Sequence, residues 1–191
     1  MSKLNDLINK LCPDGVEYVK IGNIATVSRG IRVVRKQLKK DGEIPVYQNS
    51  LKPLGYYQKF NCSADTTFII GAGAAGEIGY STVNFWAADD CYYFICPETL
   101  DSRYLYFVML KNKQNILAKV RKASIPRLSR TVIENLVIPL PPLEIQKEII
   151  RILDNYSEKN EELIKSLYKE IELRKKQYEY YRDKILTFKN I

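Results

Sequence analysis

Apolar positions step by three and four at both ends of this chain and follow shorter, strand-like runs between them. In "MSKLNDLINKL" the residues Leu4, Leu7, Ile8 and Leu11 fall at helical spacing, and the "CPDG" that follows supplies turn chemistry to stop a helix. From Val16 to about Pro139, β-branched and aromatic runs alternate with Gly, Pro and Asn turns. "EIPVYQNS", "TTFIIGAG", "IGYSTVNFW" and "DDCYYFICP" read as strands. One helix interrupts them at "DSRYLYFVMLKN", where Asp101 or Ser102 can cap and Tyr104, Leu105, Phe107 and Val108 form the apolar side. A second, short helix fits "TVIENL". The pattern predicts an α+β globular part over residues 1–140 with a β-rich core.

After "IPLPPLEIQKEII" the regime changes. Pro139, Pro141 and Pro142 hold an extended lead-in, and from Leu143 to Phe188 there is no glycine or proline. That is roughly 45 residues, or nearly 70 Å if helical throughout. Ile145, Ile149, Ile152, Tyr156, Leu163, Leu167, Ile171, Tyr178, Tyr181, Ile185 and Phe188 mark one stripe, broken near Lys159–Asn160 and at Arg174. A single helix of this length cannot bury such a stripe against a compact domain, so residues 141–191 are expected to form one long helix that packs on a partner helix. The competing arrangement is a hairpin turning at "DNYSEKN".

Charge sharpens this division. The 191-residue chain has a net charge of +8. Residues 1–142 carry 19 basic and 12 acidic side chains, and residues 143–191 carry 11 and 10. The surplus belongs to the globular part, which suggests a polyanionic partner there, with a merely basic, soluble surface as the alternative. The chain has no histidine, which removes the commonest general base and the imidazole metal ligands. Cys12, Cys62, Cys91 and Cys96 form no Cys-x-x-Cys pair and read as reduced thiols of a cytoplasmic protein; no metal site is expected. No secretory apolar segment opens the chain, and no run approaches the roughly 18 apolar residues of a membrane span.

"FIIGAGAAGEIGYSTVNFW" contains Gly71-x-Gly73-x-x-Gly76, the spacing of a dinucleotide-binding turn. That motif requires a helix starting at the second glycine. Here the residues after Gly76 alternate like a strand, so the glycines read instead as a tight strand-to-strand turn whose backbone approaches another surface closely. That surface is either the domain's own interior or a DNA backbone. There is no Walker A sequence, and the carboxylates of "PDGVEYVK" are too crowded for a metal-dependent nuclease core. No catalytic residues are assigned.

Two acid-free runs hold most of the basic charge. "SRGIRVVRKQLKK" carries Arg29, Arg32, Arg35, Lys36, Lys39 and Lys40; "KNKQNILAKVRKASIPRLSR" carries Lys111, Lys113, Lys119, Arg121, Lys122, Arg127 and Arg130. Such runs neutralise phosphates and release counterions. Arg29, Arg32, Arg35, Lys36, Arg121, Lys122, Arg127 and Arg130 are the expected phosphate contacts. Gln48 and Asn49 in "VYQNSLKPLGYY" are side chains able to read adenine, or simply part of a polar turn.

"IPLPPLEIQKEIIRILDNY" followed by "EIELRKKQYEYYRDKILTF" resembles the conserved region of the specificity subunits of type I restriction-modification systems. "LCPDGVEYVKIGNIATVSRG" and "GAAGEIGYSTVNFWAADDCYYF" are similar to parts of their target-recognition domains. The resemblance implies a non-catalytic reader of half of a bipartite site in double-stranded DNA. It implies a long helix that forms an antiparallel coiled coil and docks adenine methyltransferase and restriction subunits. Those partners, not this chain, would use S-adenosylmethionine, ATP and magnesium. The usual subunit has two recognition domains and two such helices, whereas this sequence has one of each. It reads as a natural half-subunit or as a shortened form, pairing with a second copy of itself or with another half-subunit through Ile149, Ile152, Tyr156, Leu163, Leu167, Ile171, Tyr178, Tyr181 and Ile185. A symmetric pair would read an inverted repeat with a fixed gap.

Overall fold

The computed structural model describes residues 2–188; residues 189–191, the end of the expected helical segment, lie outside the described residues. The chain forms two compact units, Met1–Ile150 and Arg151–Ile191.

The first unit opens with α1 (Ser2–Leu11), whose Leu4, Leu7, Ile8 and Leu11 are the half-buried positions, as their spacing predicts. A turn through Gly15 leads to β1 (Tyr18–Lys20), which pairs antiparallel with β9 (Val137–Pro139) near the other end of the unit. One turn of helix, α2 (Ile21–Ile24), connects to β2 (Thr26–Arg29). β2 is an edge of a four-stranded antiparallel sheet in the order β2-β8-β5-β6, with β5 at Thr66–Ile70, β6 at Ile78–Ser81 and β8 at Cys91–Ile95. β3 (Ile44–Tyr47), β4 (Gly55–Tyr57) and β7 (Trp86–Ala87) form a smaller sheet in which β3 and β7 run parallel.

"IGYSTVNFW" is therefore not one strand. The Ser81 hydroxyl donates to the Val83 carbonyl at 2.7 Å and turns the chain, so that β6 stays in the large sheet and β7 joins the small one. Alternation alone cannot show such a switch, because both halves keep the same period.

Helices cover the large sheet. α3 (Ser102–Lys111) is capped by Asp101, whose carboxylate accepts from the amides of Arg103 at 2.8 Å and Tyr104 at 3.4 Å. α4 (Lys113–Ala118) follows at once, inside what the sequence presents only as a basic run, and buries Ile116. α5 (Arg130–Glu134) occupies the short helix expected around "TVIENL". Ile21, Val27, Ile69, Ile78, Phe94, Leu105, Met109, Ile116, Ile133 and Ile138 make the main core. A second cluster stacks Tyr47 on Phe68 at 4.6 Å beside Phe85. A third sets Trp86 edge-on to Tyr57 at 5.0 Å.

The last helix, α6, runs unbroken from Leu143 to Ile185, so the hairpin alternative does not form. Its first two turns belong to the globular unit, which carries that unit beyond the proline-marked division expected near residue 140. Ile145, Gln146 and Glu148 are buried, and Ile149 and Ile150 pack on the main core. Gln146 accepts from the Asp101 amide at 2.9 Å and donates to the carbonyls of Thr99 at 2.9 Å and Pro141 at 2.8 Å. Lys3 of α1 reaches Glu148 at 2.9 Å. Ile149, one of the expected partner-helix positions, is half-buried and packs part of its side chain on the main core.

Candidate nucleic-acid interface

Gly71–Gly76 links β5 to β6, and its backbone bonds to three other segments. Gly71 donates to the Asp90 carbonyl at 2.6 Å and accepts from the Leu128 amide at 2.8 Å. Gly73 donates to Pro126 at 3.1 Å, and Ala74 donates to Asn49 at 2.9 Å. The close approach is made to the protein's own backbone. Gly73 and Gly76 both demand glycine: their φ values are +84° and +91°, and a Cβ would lie 2.8 Å from Cβ of Asn49 at the first and 2.9 Å from the Leu117 side chain at the second. Segments far apart in sequence, 48–49, 89–90 and 121–128, are gathered around this turn.

The first basic run is held to the same place by its own contacts. The Arg29 Nε donates to the Asp89 carbonyl at 2.6 Å, and the amide of Ile31 donates to Ala87 at 2.9 Å. The second run folds back on itself, with Arg121 and Arg127 exchanging backbone bonds of 2.8 and 3.1 Å. The result is a cleft of about 380 Å³ lined by Arg29, Lys119, Arg121, Arg127 and Ser129 from the two runs, with Gly71, Ala72, Asp89, Asp90, Tyr92 and Leu128. Among the described residues, none of its four cations has a carboxylate within salt-bridge distance. One carboxylate oxygen of Asp89 is buried without a hydrogen-bond partner.

A second basic hollow, about 600 Å³, lies against the small sheet and is lined by Arg35, Leu38, Lys39, Lys40, Lys52, Pro53, Leu54, Gly55 and Tyr56. No acidic side chain lines it.

The expected phosphate contacts thus divide. Arg29, Arg121 and Arg127 converge on one cleft and Arg35 lines the other, while Arg32, Lys36 and Lys122 are exposed but line neither. Arg130 is engaged by Glu134 at 2.7 Å, and Lys113 of the same run by Glu77 at 2.8 Å. Gln48 is half-buried and Asn49 exposed, next to the glycine turn. Lys52, Asp89 and Asp90 join the basic surface without standing out in the sequence. Nothing local in the sequence ties the acidic pair to Arg29.

No cysteine lines either basic hollow. Burial pushes Cys62 up to about 12 and Cys96 up to about 11, and raises Cys91 well above the ordinary thiol range. They stay protonated at neutral pH, which makes them weak nucleophiles.

On α6 beyond the globular unit, Tyr156, Leu163, Leu167, Ile171, Tyr178, Tyr181 and Ile185 are all exposed, and Ile152 is half-buried.

Comparison with known proteins places these features in a family. A protein of Mycoplasma pneumoniae, the specificity subunit of the type I restriction enzyme MpnII, is 28% identical over 172 residues, covering 87% of this chain and 52% of that protein. A Haemophilus influenzae protein named for a type I restriction enzyme specificity subunit is 30% identical over 182 residues, covering 90% of this chain and 46% of the relative. The chain spans about half the length of these curated relatives. The crystal structure of a type I restriction-modification S subunit from M. genitalium shares the fold, with a TM-score of 0.69 at 19% identity over 88% of this chain and 46% of that one. The family model for the type I restriction modification DNA specificity domain matches residues 13–173, from the end of α1 far into α6, and the chain belongs to that family.

Proposed function

We propose that this chain is the DNA-reading part of a type I restriction-modification complex, recognising half of a bipartite site without catalysing a reaction itself. The cleft carries the proposal: two basic runs some ninety residues apart in sequence meet on the glycine turn. Cations left without carboxylate partners are available to phosphates, and duplex DNA is the polyanion that a specificity domain serves. Arg29, Lys119, Arg121 and Arg127 hold the backbone at the cleft; Arg35, Lys39, Lys40 and Lys52 extend the contact along the second hollow. Asn49 and Gln48, beside the glycine turn, are the candidate base readers. The carboxylates of Asp89 and Asp90 limit how tightly phosphate alone is held in the cleft, which favours a fitted ligand over a loose one.

In this reading α6 supplies assembly rather than recognition. Its exposed stripe packs on a partner helix, and the pair docks adenine methyltransferase subunits, which bind S-adenosylmethionine, and a restriction subunit, which uses ATP and magnesium. The assembly works in the cytoplasm.

The test is co-expression with the adenine methyltransferase subunit in a methylation-free host, read as a methylome. A gapped motif that disappears when this chain is omitted supports the reading; co-purification without any methylation opposes it. In parallel, Arg127→Ala should weaken binding to all duplexes alike and flatten the salt dependence by about one phosphate contact. Unchanged affinity and slope for both Arg127→Ala and Arg29→Ala would remove the cleft from the interface.

A further inference from the structure

The turn that joins β7 to β8 sets two carboxylates in a cleft whose other charged side chains are all cations. Ala88, Asp89, Asp90 and Cys91 form it, with the Cys91 amide donating to the Ala88 carbonyl at 2.9 Å. Distant segments hold its backbone. Gly71 donates to the Asp90 carbonyl at 2.6 Å, Gly30 to the Cys91 carbonyl at 2.8 Å, and Ala88 to the Tyr47 carbonyl at 2.8 Å. Arg29 adds its bond to the Asp89 carbonyl. The two carboxylates are left over. In a turn, an Asp carboxylate ordinarily accepts from the backbone two residues on. Among the described residues, neither of these carboxylates accepts a hydrogen bond or joins an ion pair. Asp89 keeps one oxygen buried, whereas Asp90 has no oxygen buried and lines the cleft.

We propose that Asp90 reads the N4 amino group of a cytosine in the half-site. The proposal rests on the DNA-reading function above and names a base contact within it. The sugar-phosphate backbone of DNA offers acceptors and no donors, so a carboxylate among phosphate-binding cations gains nothing from that backbone and is repelled by it. The donors that DNA presents are the amino groups on its base edges. In the major groove cytosine shows an amino group and no acceptor of its own. Adenine sets its N7 acceptor beside the N6 amino group, guanine shows two acceptors, and thymine shows one. A side chain that only accepts therefore suits cytosine and is repelled by guanine and thymine.

Arg29, Arg121 and Arg127 line the same cleft. Their phosphate contacts fix the register, and discrimination falls to the group that phosphate cannot satisfy. A base contact also needs a side chain on a fixed support, which the backbone bonds of this turn supply. A rival role makes Asp90 only a counterweight that keeps the cations from holding any polyanion too tightly. The two roles differ in sequence dependence: a counterweight acts on all duplexes alike.

The full chain, co-expressed with the adenine methyltransferase subunit in a methylation-free host, tests this. The wild-type motif should contain a C·G pair whose identity relaxes in Asp90→Ala, with every other position kept. Asp90→Asn retains the size of the side chain and adds a donor, so it should shift the same position toward adenine. It also keeps the test decisive where Asp90→Ala fails to fold. Duplexes carrying 2-pyrimidinone, which is cytosine without its amino group, give a second readout. At that position they should bind the wild-type complex at least about tenfold more weakly than cytosine does, but the Asp90→Ala complex within about twofold. A motif unchanged in both variants, or affinity raised for all duplexes alike with the motif intact, overturns the assignment and leaves the DNA-reading function standing. Absence of any motif with the wild-type chain removes that function, and the assignment with it.

Discussion

Residues up to Ile150 and residues from Arg151 onward satisfy their apolar side chains in opposite ways. In the first unit, strands as distant as β1 and β9 close on one another and large side chains such as Phe68, Ile69, Leu105 and Met109 are almost wholly buried. In the second, a continuous helix leaves Tyr156, Leu163, Leu167, Ile171 and Tyr178 about half or more exposed. The secondary structure of the second unit depends on contacts within a few residues, whereas the first depends on pairings across more than a hundred. Stability of the first is therefore sensitive to single interior changes. The second should tolerate them, and should register them instead in what it associates with.

The largest effect should come from Gln146→Leu. The change leaves the Asp101 amide and the Thr99 and Pro141 carbonyls without their present partner, all at the base of α6. At about 1–3 kcal/mol for each buried group left unsatisfied, a loss of about 3 kcal/mol or more is expected in urea unfolding. A loss below about 1 kcal/mol would mean that water replaces the amide and that this junction is less buried than described.

Gly73→Ala comes next. A left-handed backbone costs an L-residue about 1–2 kcal/mol, and here the new Cβ also meets Asn49. The domain should unfold at lower urea, and its DNA affinity should fall by more than the change in folded population explains, because the turn sets the relation of the three gathered segments. An affinity loss accounted for by unfolding alone would mean that the turn is only structural.

Alkali should separate the units more gently. Cys62 is raised from 9.0 to about 12 and Cys96 from 9.0 to about 11, both chiefly by burial. Burial also raises Tyr104 from 10.0 to about 12. Each folded value lies above its unfolded one, so the stabilisation is complete below pH 9 and is lost as pH rises from 9 toward 12. The urea midpoint of the globular unit should decline over that range, and Cys62→Ala with Cys96→Ala should flatten the decline. A flat profile in the unmodified chain would argue that these thiols are more accessible than their burial implies.

The smallest effect on folding is expected from Leu167→Lys with Ile171→Lys. Both side chains are exposed, so the unfolding free energy of the globular unit in urea should change by no more than about 0.5 kcal/mol, while self-association measured by sedimentation should be lost. A large drop in the stability of a chain already monomeric would erase the contrast between the units.

Local signals carried further for some elements than for others. α1, α3 and α6 were legible because their periodicity, the Asp101 cap and the proline lead-in act over a few residues. β3, β5 and β8 were legible as β-branched or aromatic runs between turns. α4 was not, since its six residues hide in a basic run and Ile116 becomes a core residue only when the sheet is beneath it. Nor was the sheet change between β6 and β7. The candidate site divides along the same line. Both basic runs are visible in the sequence, yet the pairing of Arg130 with Glu134 and of Lys113 with Glu77, and the arrival of Asp89 beside Arg29, come from folding.

By itself the sequence determined the division into an α+β unit and a long helix, the placing of surplus charge on the former, and the spacing along the latter. Each of these is a property of neighbouring residues and of their chemical type. Tertiary structure alone decided that Gly71–Gly76 would be a junction for distant loops, that only part of the basic charge would be free of carboxylates, and that Ile149 would pack on the core. Those outcomes depend on which backbones meet, and in an antiparallel sheet with long crossovers residues far apart in the chain make the meeting.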